Sequence, residues 1–218
     1  EIRDFGLPIN GVQPTKVYSA PDKDNRLGFF DTGITMQNDL SFSSGDDKGS
    51  YYVSLQDVRI KGVIPGDKSS RTGVRFNGSR RFNKLNTSFN TNYVFFKNNT
   101  TSDGPWLSVY TQPANIDYKD ARNWEDPSSP NHPLNWYNPV AGTRNPIFMA
   151  DNNRNTADQH TLNSKLEFNY EFTDWLDATY RTGLYFQSEP GRVTNKKLVS
   201  NIATRNINGS VNDTHRGF

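Results

Sequence analysis

The strongest constraint on the fold is an alternation of apolar and polar side chains over residues 161–187, interrupted once at Thr173-Asp174-Trp175. Mostly apolar side chains recur at every second residue from Leu162 to Phe172, and again from Leu176 to Phe186. A period of two is typical of a strand with two different faces, and amphipathic helix patterns are nearly absent. An antiparallel hairpin that pairs Phe172 with Leu176 keeps the apolar residues of both strands on one face.

Two further segments repeat this pattern. Residues 73–96 predict a hairpin around Asn83-Lys84 in which Phe82 pairs with Leu85, and residues 36–58 predict a hairpin that turns at Gly45-Asp46-Asp47-Lys48. The three hairpins give about six strands of roughly 9–12 residues, longer than the globular average of about 5–6. Strands that span a membrane need about 9–11 residues.

The connections differ at the two ends of these hairpins. The turns within hairpins are short, whereas residues 59–72, 97–160 and 188 onward form long connections. Short turns at one end and long loops at the other are typical of outer-membrane barrels. The predicted fold is therefore all-β: a segment of an antiparallel transmembrane β-barrel with short periplasmic turns and long extracellular loops.

The chain divides accordingly into successive regions. Residues 1–35 are a lead-in segment or loop, 36–96 form two barrel hairpins, 97–160 form a long extracellular loop, 161–187 form the third barrel hairpin, and 188–218 form another extracellular loop. Six strands cannot close a membrane barrel, which needs about eight in a single chain. We therefore expect these residues to be a stretch of a longer polypeptide, with several chains sharing one barrel as the alternative.

Composition excludes several function classes. The net charge of +2, without basic clusters, gives no reason to expect a nucleic-acid partner. The absence of Cys excludes disulfides, thiolate metal sites and cysteine nucleophiles. The three His lie far apart in sequence, and Asp151-x-Asn153-x-Asn155 lacks the Gly and Glu of a calcium loop. We expect no enzymatic activity, no catalytic residues, no metal and no cofactor.

The polar face of the predicted strands provides candidate residues for a water-filled lumen. They are charged side chains on alternating positions: Arg75, Arg81, Lys165, Glu167, Glu171 and Arg181. Glu167 and Glu171, beside Lys165 and Arg181, predict a ladder of salt bridges rather than a pair of glycosidase carboxylates. Arg80 interrupts the apolar face near a turn, where a long side chain can reach water. Aromatic residues next to the short turns predict a girdle at one membrane interface: Phe42, Tyr51, Phe82 and Trp175.

The long loop contains a second set of candidates. Its aromatic side chains are suited to contact with a substrate or a lid protein: Trp106, Tyr110, Trp124, Trp136 and Tyr137. The alternative is that they form the loop's own small core, since a loop of this length must bury apolar surface to be ordered. Gly104-Pro105-Trp106-Leu107 predicts the start of a short helix, with Pro in the first turn.

An ordered series of short strings resembles a known family. The strings are Phe29-Phe30-Asp31-Thr32-Gly33, Ser44-Gly45-Asp46-Asp47-Lys48, Tyr51-Tyr52-Val53-Ser54, Gly62-Val63-Ile64-Pro65, Asn145-Pro146, Asn153-Arg154, Thr173-Asp174-Trp175-Leu176 and Tyr180-Arg181-Thr182-Gly183-Leu184. In this order and spacing, over about residues 29–187, they resemble the SusC/RagA family of TonB-dependent transporters of Bacteroidota.

The resemblance implies a 22-stranded barrel in the bacterial outer membrane, in contact with outer-membrane lipid and containing an N-terminal plug. It also implies a SusD-like surface lipoprotein partner, and TonB acting through a plug region that these residues do not include. The implied function is import of oligosaccharides or oligopeptides for nutrient uptake. The alternative from the residues alone is a surface or secreted β-sandwich that binds glycans through the aromatic residues of 97–160, because one wet face per sheet also explains alternation.

Overall fold

The computed structural model describes residues 2–4, 8, 10–17, 24–101, 104–112, 116, 118, 120–136, 144–199 and 207–217. These residues form nine strands and two α-helices, in the order β1 (Ile2–Asp4), β2 (Thr15–Val17), β3 (Ile34–Asp46), β4 (Gly49–Lys61), β5 (Lys68–Phe82), β6 (Leu85–Thr101), α1 (Pro105–Thr111), α2 (Pro146–Asn152), β7 (Arg154–Thr173), β8 (Leu176–Asn195) and β9 (Ser210–Gly217). Single 3-10 turns lie at Asn25–Phe29 and Asp120–Arg122.

Seven of the strands form one open antiparallel sheet in sequence order, β3-β4-β5-β6-β7-β8-β9. Strands β3 and β9 are its two edges, and β1 pairs only with β2 in a separate two-stranded sheet. The all-β prediction is therefore confirmed at the level of one antiparallel meander. Because each strand pairs with its neighbours in sequence, the two faces of the sheet follow from the alternation along each strand.

The predicted registers agree with the observed pairs. Phe82 lies opposite Leu85 and Val74 lies opposite Tyr93 in the β5–β6 hairpin. In the β7–β8 hairpin, Leu162 lies opposite Phe186. The closing pair of that hairpin was mispredicted: Leu176 pairs with Thr173 rather than with Phe172, because the register shifts between Glu171 and Thr173. This irregularity leaves a two-residue turn at Asp174-Trp175.

The number and length of the strands differ from the sequence prediction. The main sheet has seven strands rather than about six, since β9 lies within 188–218, and the lead-in 1–35 contributes β1 and β2. The connection expected over 59–72 shrinks to 62–67, and that over 97–160 shrinks to 102–153. Beyond the apolar band the outer ends of β6, β7 and β8 are mostly polar on both faces, so the alternation disappears there while the backbone hydrogen bonds continue.

The buried core lies outside the main sheet. It is built from the connection between β6 and β7, with contributions from Phe29 of the first 3-10 turn (Asn25–Phe29) and from Ile207. Its largest fully buried side chains include Trp136, Tyr118, Phe29 and Phe148. The connection is long enough to bury apolar surface of its own, and this packing keeps it folded at one end of the sheet.

The start of α2 is organised by a buried amide. The Asn145 side-chain oxygen accepts hydrogen bonds from the N–H groups of Ile147 (2.9 Å) and Phe148 (3.4 Å). Its NH2 group donates to the carbonyl oxygens of Ala121 and Asn131, both at 2.8 Å. One side chain therefore caps the helix and joins it to two other parts of the connection.

Candidate functional site

One face of the sheet is apolar and open to solvent in this chain. Residues on six neighbouring strands form a continuous cross-strand row on it: Leu40, Leu55, Val74, Tyr93, Leu162 and Phe186. Leu40 keeps 71% of its surface exposed, and Tyr180 on β8 keeps 65%. An exposed apolar surface of this extent marks an interaction site with a membrane or another protein.

The apolar band has a definite height. On β8 it runs from Leu176 to Phe186, and on β7 from Leu162 to Phe172, so it spans ten residue steps on each strand. At about 3.4 Å per residue this is about 34 Å along the strand. At a strand tilt of about 40°, the height becomes roughly 26 Å, close to the ~25 Å apolar band of outer-membrane barrels.

The two-residue turns are staggered along the strand direction, and this stagger gives the tilt of the strands relative to the line that joins the turns. Gly49, which closes the β3–β4 hairpin, aligns through Arg80 and Thr87 with Phe168 on β7. The β7–β8 hairpin closes at Thr173, five residues further along that strand. Five steps of about 3.3 Å across four strand spacings of about 4.8 Å correspond to a tilt of roughly 40° if the turns lie in one plane.

Aromatic side chains line the turn end of the apolar face. The rings of Phe42 and Tyr51 lie 5.9 Å apart, and those of Tyr170 and Phe172 lie 4.8 Å apart. Trp175, within the β7–β8 turn, is 82% exposed. Arg80, the expected exception on this face, directs its guanidinium to the Asp46 carboxylate at 2.9 Å.

The opposite face of the sheet is polar. One of its cross-strand rows consists of Ser41, Ser54, Arg75, Asn92, Asn163 and Tyr185. All six residues proposed from the sequence as lumen-lining lie on this face: Arg75, Arg81, Lys165, Glu167, Glu171 and Arg181.

The predicted ladder of salt bridges is present on this face. The Glu167 carboxylate contacts Lys165 Nζ at 3.0 Å and Arg181 Nε at 2.8 Å. Arg81 bonds to Glu171 at 2.9 Å. Because solvent screens such exposed pairs, they contribute little to the stability of the fold.

The aromatic residues of the long connection separate into two groups. Trp136 is fully buried, and Trp124 packs edge-on against Phe148 while its Nε1 donates to Asp151 Oδ2 at 2.9 Å. These two tryptophans lie in the core of the connection, the alternative that the sequence left open. On α1, by contrast, Trp106 is 54% exposed and Tyr110 is 72% exposed. The proposed contact residue Tyr137 lies outside the described residues.

The helix predicted at Gly104-Pro105-Trp106-Leu107 is confirmed as α1. The helix α1 lies beside the 3-10 turn Asn25–Phe29, from which the Arg26 guanidinium donates to the carbonyl oxygen of Tyr110 at 3.4 Å. The side chains of Trp106, Leu107 and Tyr110 therefore form an exposed apolar ridge at the loop end of the molecule.

A largely buried ion pair joins the connection to the sheet. Arg154 Nη1 lies 3.0 Å from Asp67 Oδ1, and the two side chains are only 14% and 15% exposed. The guanidinium also donates to the carbonyl oxygens of Gly66 (2.9 Å), Asn99 (2.7 Å) and Ala150 (2.7 Å). This cluster links residues 62–67, β6, α2 and the start of β7.

Burial perturbs two titratable groups in the connection. It lowers the pKa of His132, an effect that the nearby Asp126 carboxylate partly opposes. It also raises the pKa of Tyr118, whose hydroxyl donates to Gln112 Oε1 at 3.2 Å. Both groups are therefore held in their neutral forms at pH 7.

Sequence reasoning missed two polar features of the connection, the buried Asn145 amide and the Arg154–Asp67 ion pair. Asn145-Pro146 carries a local helix-start signal, an Asn cap followed by Pro at the first helical position, which identifies its role. The Arg154–Asp67 pair carries no such signal, because its members are 87 positions apart and neither lies on a periodic pattern.

Among the described residues, no three His, Asp or Glu side chains are grouped as metal ligands would be. In the part of the chain that the structure describes, no helix has the length and apolar character needed to span a membrane. No protein-family model matches the chain. No curated protein shows significant similarity to it.

Proposed function

We propose that this chain forms part of the wall of a bacterial outer-membrane transporter of the TonB-dependent, SusC-like kind. The apolar face meets lipid and the polar face lines the lumen. The two-residue turns face the periplasm, and the described residues of the connections 62–67, 102–153 and 196–209 face the exterior. The observation that carries this proposal is the continuous exposed apolar face, whose polar counterpart bears an ordered ladder of salt bridges.

The dimensions of the sheet support a barrel wall. The band height of roughly 26 Å and the tilt of roughly 40° derived above both fall within the ranges of transmembrane barrels. Strands β3 and β9 leave one edge each without a partner in the seven-stranded sheet. Open edges do not persist in lipid, so further strands must extend the sheet on both sides until it closes.

A glycan-binding sandwich is the competing function. It requires a second sheet over the apolar face, since sandwich cores form between two inner faces about 10 Å apart. The described part of the chain offers only the three-residue strands β1 and β2 besides the main sheet. The barrel wall is therefore the better-supported function.

The cargo and partners of the proposed transporter follow from the sequence resemblance. They are an oligosaccharide or oligopeptide cargo, a SusD-like lipoprotein at the outer end, and TonB acting through a plug. The exposed ridge of Trp106, Leu107 and Tyr110 lies at the loop end, where cargo or a lid protein would approach. The proposed role is selective passage, with no chemical step.

Site-specific fluorescence tests the two-faced wall directly. Because the sequence contains no Cys, a single cysteine can be placed at Tyr180 on the apolar face or at the neighbouring Thr179 on the polar face. The full polypeptide carrying this sequence, with any cysteine outside these residues replaced by Ser, is labelled with bimane and reconstituted into vesicles with brominated acyl chains. We expect strong quenching at position 180 and little at position 179.

Equal quenching at both positions, or none at either, would refute the barrel wall. A denaturing gel with peptide mapping of the native polypeptide provides a second check. A single-chain 22-stranded barrel with a plug requires about 1,000 residues, since barrel size grows with strand number. A native product of 218 residues would exclude a single-chain barrel.

A further inference from the structure

The apolar face changes character abruptly at its loop end. Lys97 follows Phe95 on the same face of β6 by two residues, and Lys68 occupies the same face at the start of β5. On β4, Arg59 and Lys61 continue this cationic region. At the turn end of the face, Arg80 is already paired with Asp46.

Two of these cations form no ion pair with the described residues. Arg59 contacts Asp57 at 2.9 Å, and Lys61 contacts Asp31 at 3.2 Å. Lys68 and Lys97, which we call the rim lysines, are exposed and form no ion pair or side-chain hydrogen bond with the described residues. Asp158 lies opposite Lys97 on β7 but forms no ion pair with it.

The register brings like charges together at this rim. Lys68 lies directly opposite Lys61 on β4. Directly opposed residues have Cβ atoms about 4.5–5.5 Å apart, and like charges there are destabilising. Lys97 is a diagonal neighbour of Lys68, because it faces Ser70 two residues along β5. Diagonal neighbours are roughly 7–8 Å apart, a separation that one anion between two lysines can bridge.

The rim lysines lie at the depth of a membrane surface. Lys97 is two residues, or about 7 Å along the strand, beyond the last aromatic ring of the band. The headgroup layer adds about 5–8 Å to each side of the hydrocarbon core. Lysine side chains reach along apolar surface and place their charge in that layer.

We propose that the rim lysines, with Ser70 between them in the register, bind the phosphate of an anionic lipid headgroup in the outward-facing leaflet. This inference rests on the proposed barrel wall and extends it to a specific class of lipid. The occupant is a lipid rather than a soluble anion, because the site is continuous with the apolar band that would hold the acyl chains. Binding neutralises the charge of Lys68, which lies opposite Lys61.

Lipid exchange in vesicles tests the proposal. The complete polypeptide is reconstituted into phosphatidylcholine with or without a minor fraction of phosphatidic acid, and the lipids that copurify with it are quantified by mass spectrometry. Each of Lys68→Gln and Lys97→Gln should reduce the enrichment of phosphatidic acid about fivefold, as expected for one basic residue at a membrane surface. Lys48→Gln, the same change in a turn at the opposite end of the sheet, should leave it unchanged.

Three results would overturn this inference. They are unchanged enrichment in the Lys68→Gln/Lys97→Gln double variant, an equal loss in Lys48→Gln, and displacement of phosphatidic acid by dilute inorganic phosphate. The bimane measurement at position 180 distinguishes failure of the headgroup site from failure of the barrel wall. If acyl-chain quenching persists while enrichment is absent, the headgroup site fails and the barrel wall stands; if quenching is also absent, the barrel wall fails as well.

Discussion

The Arg154–Asp67 pair allows a quantitative test of how the long connection is attached to the sheet. Replacing Arg154 by Met removes the guanidinium but keeps most of the side-chain volume. Breaking a buried ion pair by removing one partner costs about 3–5 kcal/mol. Asp67 Oδ1 still accepts from the N–H (2.8 Å) and the hydroxyl (2.9 Å) of Thr101, so its charge keeps two donors and the lower end of the range applies.

The loss of stability in Arg154→Met should be confined to the segments that the guanidinium contacts. We expect Arg154→Met to destabilise residues 62–67 and α2 by about 3 kcal/mol, because the guanidinium donates to Gly66 O and Ala150 O. A change of 3 kcal/mol corresponds to amide exchange about a hundredfold faster. Hydrogen exchange with mass spectrometry on the detergent-solubilised polypeptide measures this, and peptides from the two-residue turns should be unchanged.

Arg181→Met is the matched control, since it makes the same change at an exposed pair. Arg181 bonds to Glu167 at 2.8 Å, but its side chain is 64% exposed. Its loss should cost far less than the loss of Arg154, because solvent screens an exposed ion pair. Equal effects of the two substitutions, or exchange that accelerates uniformly over the whole sheet in Arg154→Met, would refute the reasoning.

Three further predictions concern packing, pH and capping. Gly78→Val should destabilise the sheet by about 1–3 kcal/mol in denaturant unfolding, because a Cβ there would lie 2.6 Å from the Phe89 ring. Lowering the pH from about 7.5 to 5.5 should destabilise the connection, because burial lowers the pKa of His132 in the folded protein. The folded state then resists protonation of the imidazole, and the stability this contributes above about pH 6.5 is lost progressively as the pH falls below that value. Tryptophan fluorescence follows this change, which His132→Gln should reduce. Asn145→Ala should cost about 3 kcal/mol or more in thermal unfolding monitored by tryptophan fluorescence, because it removes a helix cap and two buried hydrogen bonds.

Controls distinguish these effects from general damage. Gly73→Ala, where the nearest atom to an added Cβ is 4.0 Å away, should be tolerated far better than the change at Gly78. Asn145→Asp retains an oxygen for the cap but places a buried carboxylate oxygen against Ala121 O and Asn131 O, so a loss at least as large as that of Asn145→Ala is expected. If the stability of the connection depends on pH equally in His132→Gln and in the unchanged protein, the effect belongs to another titratable group.

The candidate wall could be read from the sequence because it depends on local order. Alternation assigns each residue to a face, and a short turn fixes the register of the hairpin. This is why the positions of Arg75, Glu167 and Arg181 on the polar face of the sheet were predictable without coordinates. The polar ends of β6, β7 and β8 were not, since both of their faces are polar and no period remains to detect.

The sequence by itself determined the strands of the apolar band, their pairing within each hairpin and the chemistry of the two faces, because all of these are encoded within a few neighbouring residues. The pairing of β6 with β7, which joins residues such as Tyr93 and Leu162, was decided by the tertiary structure. Only the tertiary structure decided which aromatic residues of the connection are buried and which are exposed. Trp136 and Trp106 lie in equally polar surroundings in sequence, yet one fills the core and the other lies on the surface. The attachment through Asp67 and Arg154 was likewise decided in three dimensions, since burial and ion pairing depend on contacts between residues distant in the chain.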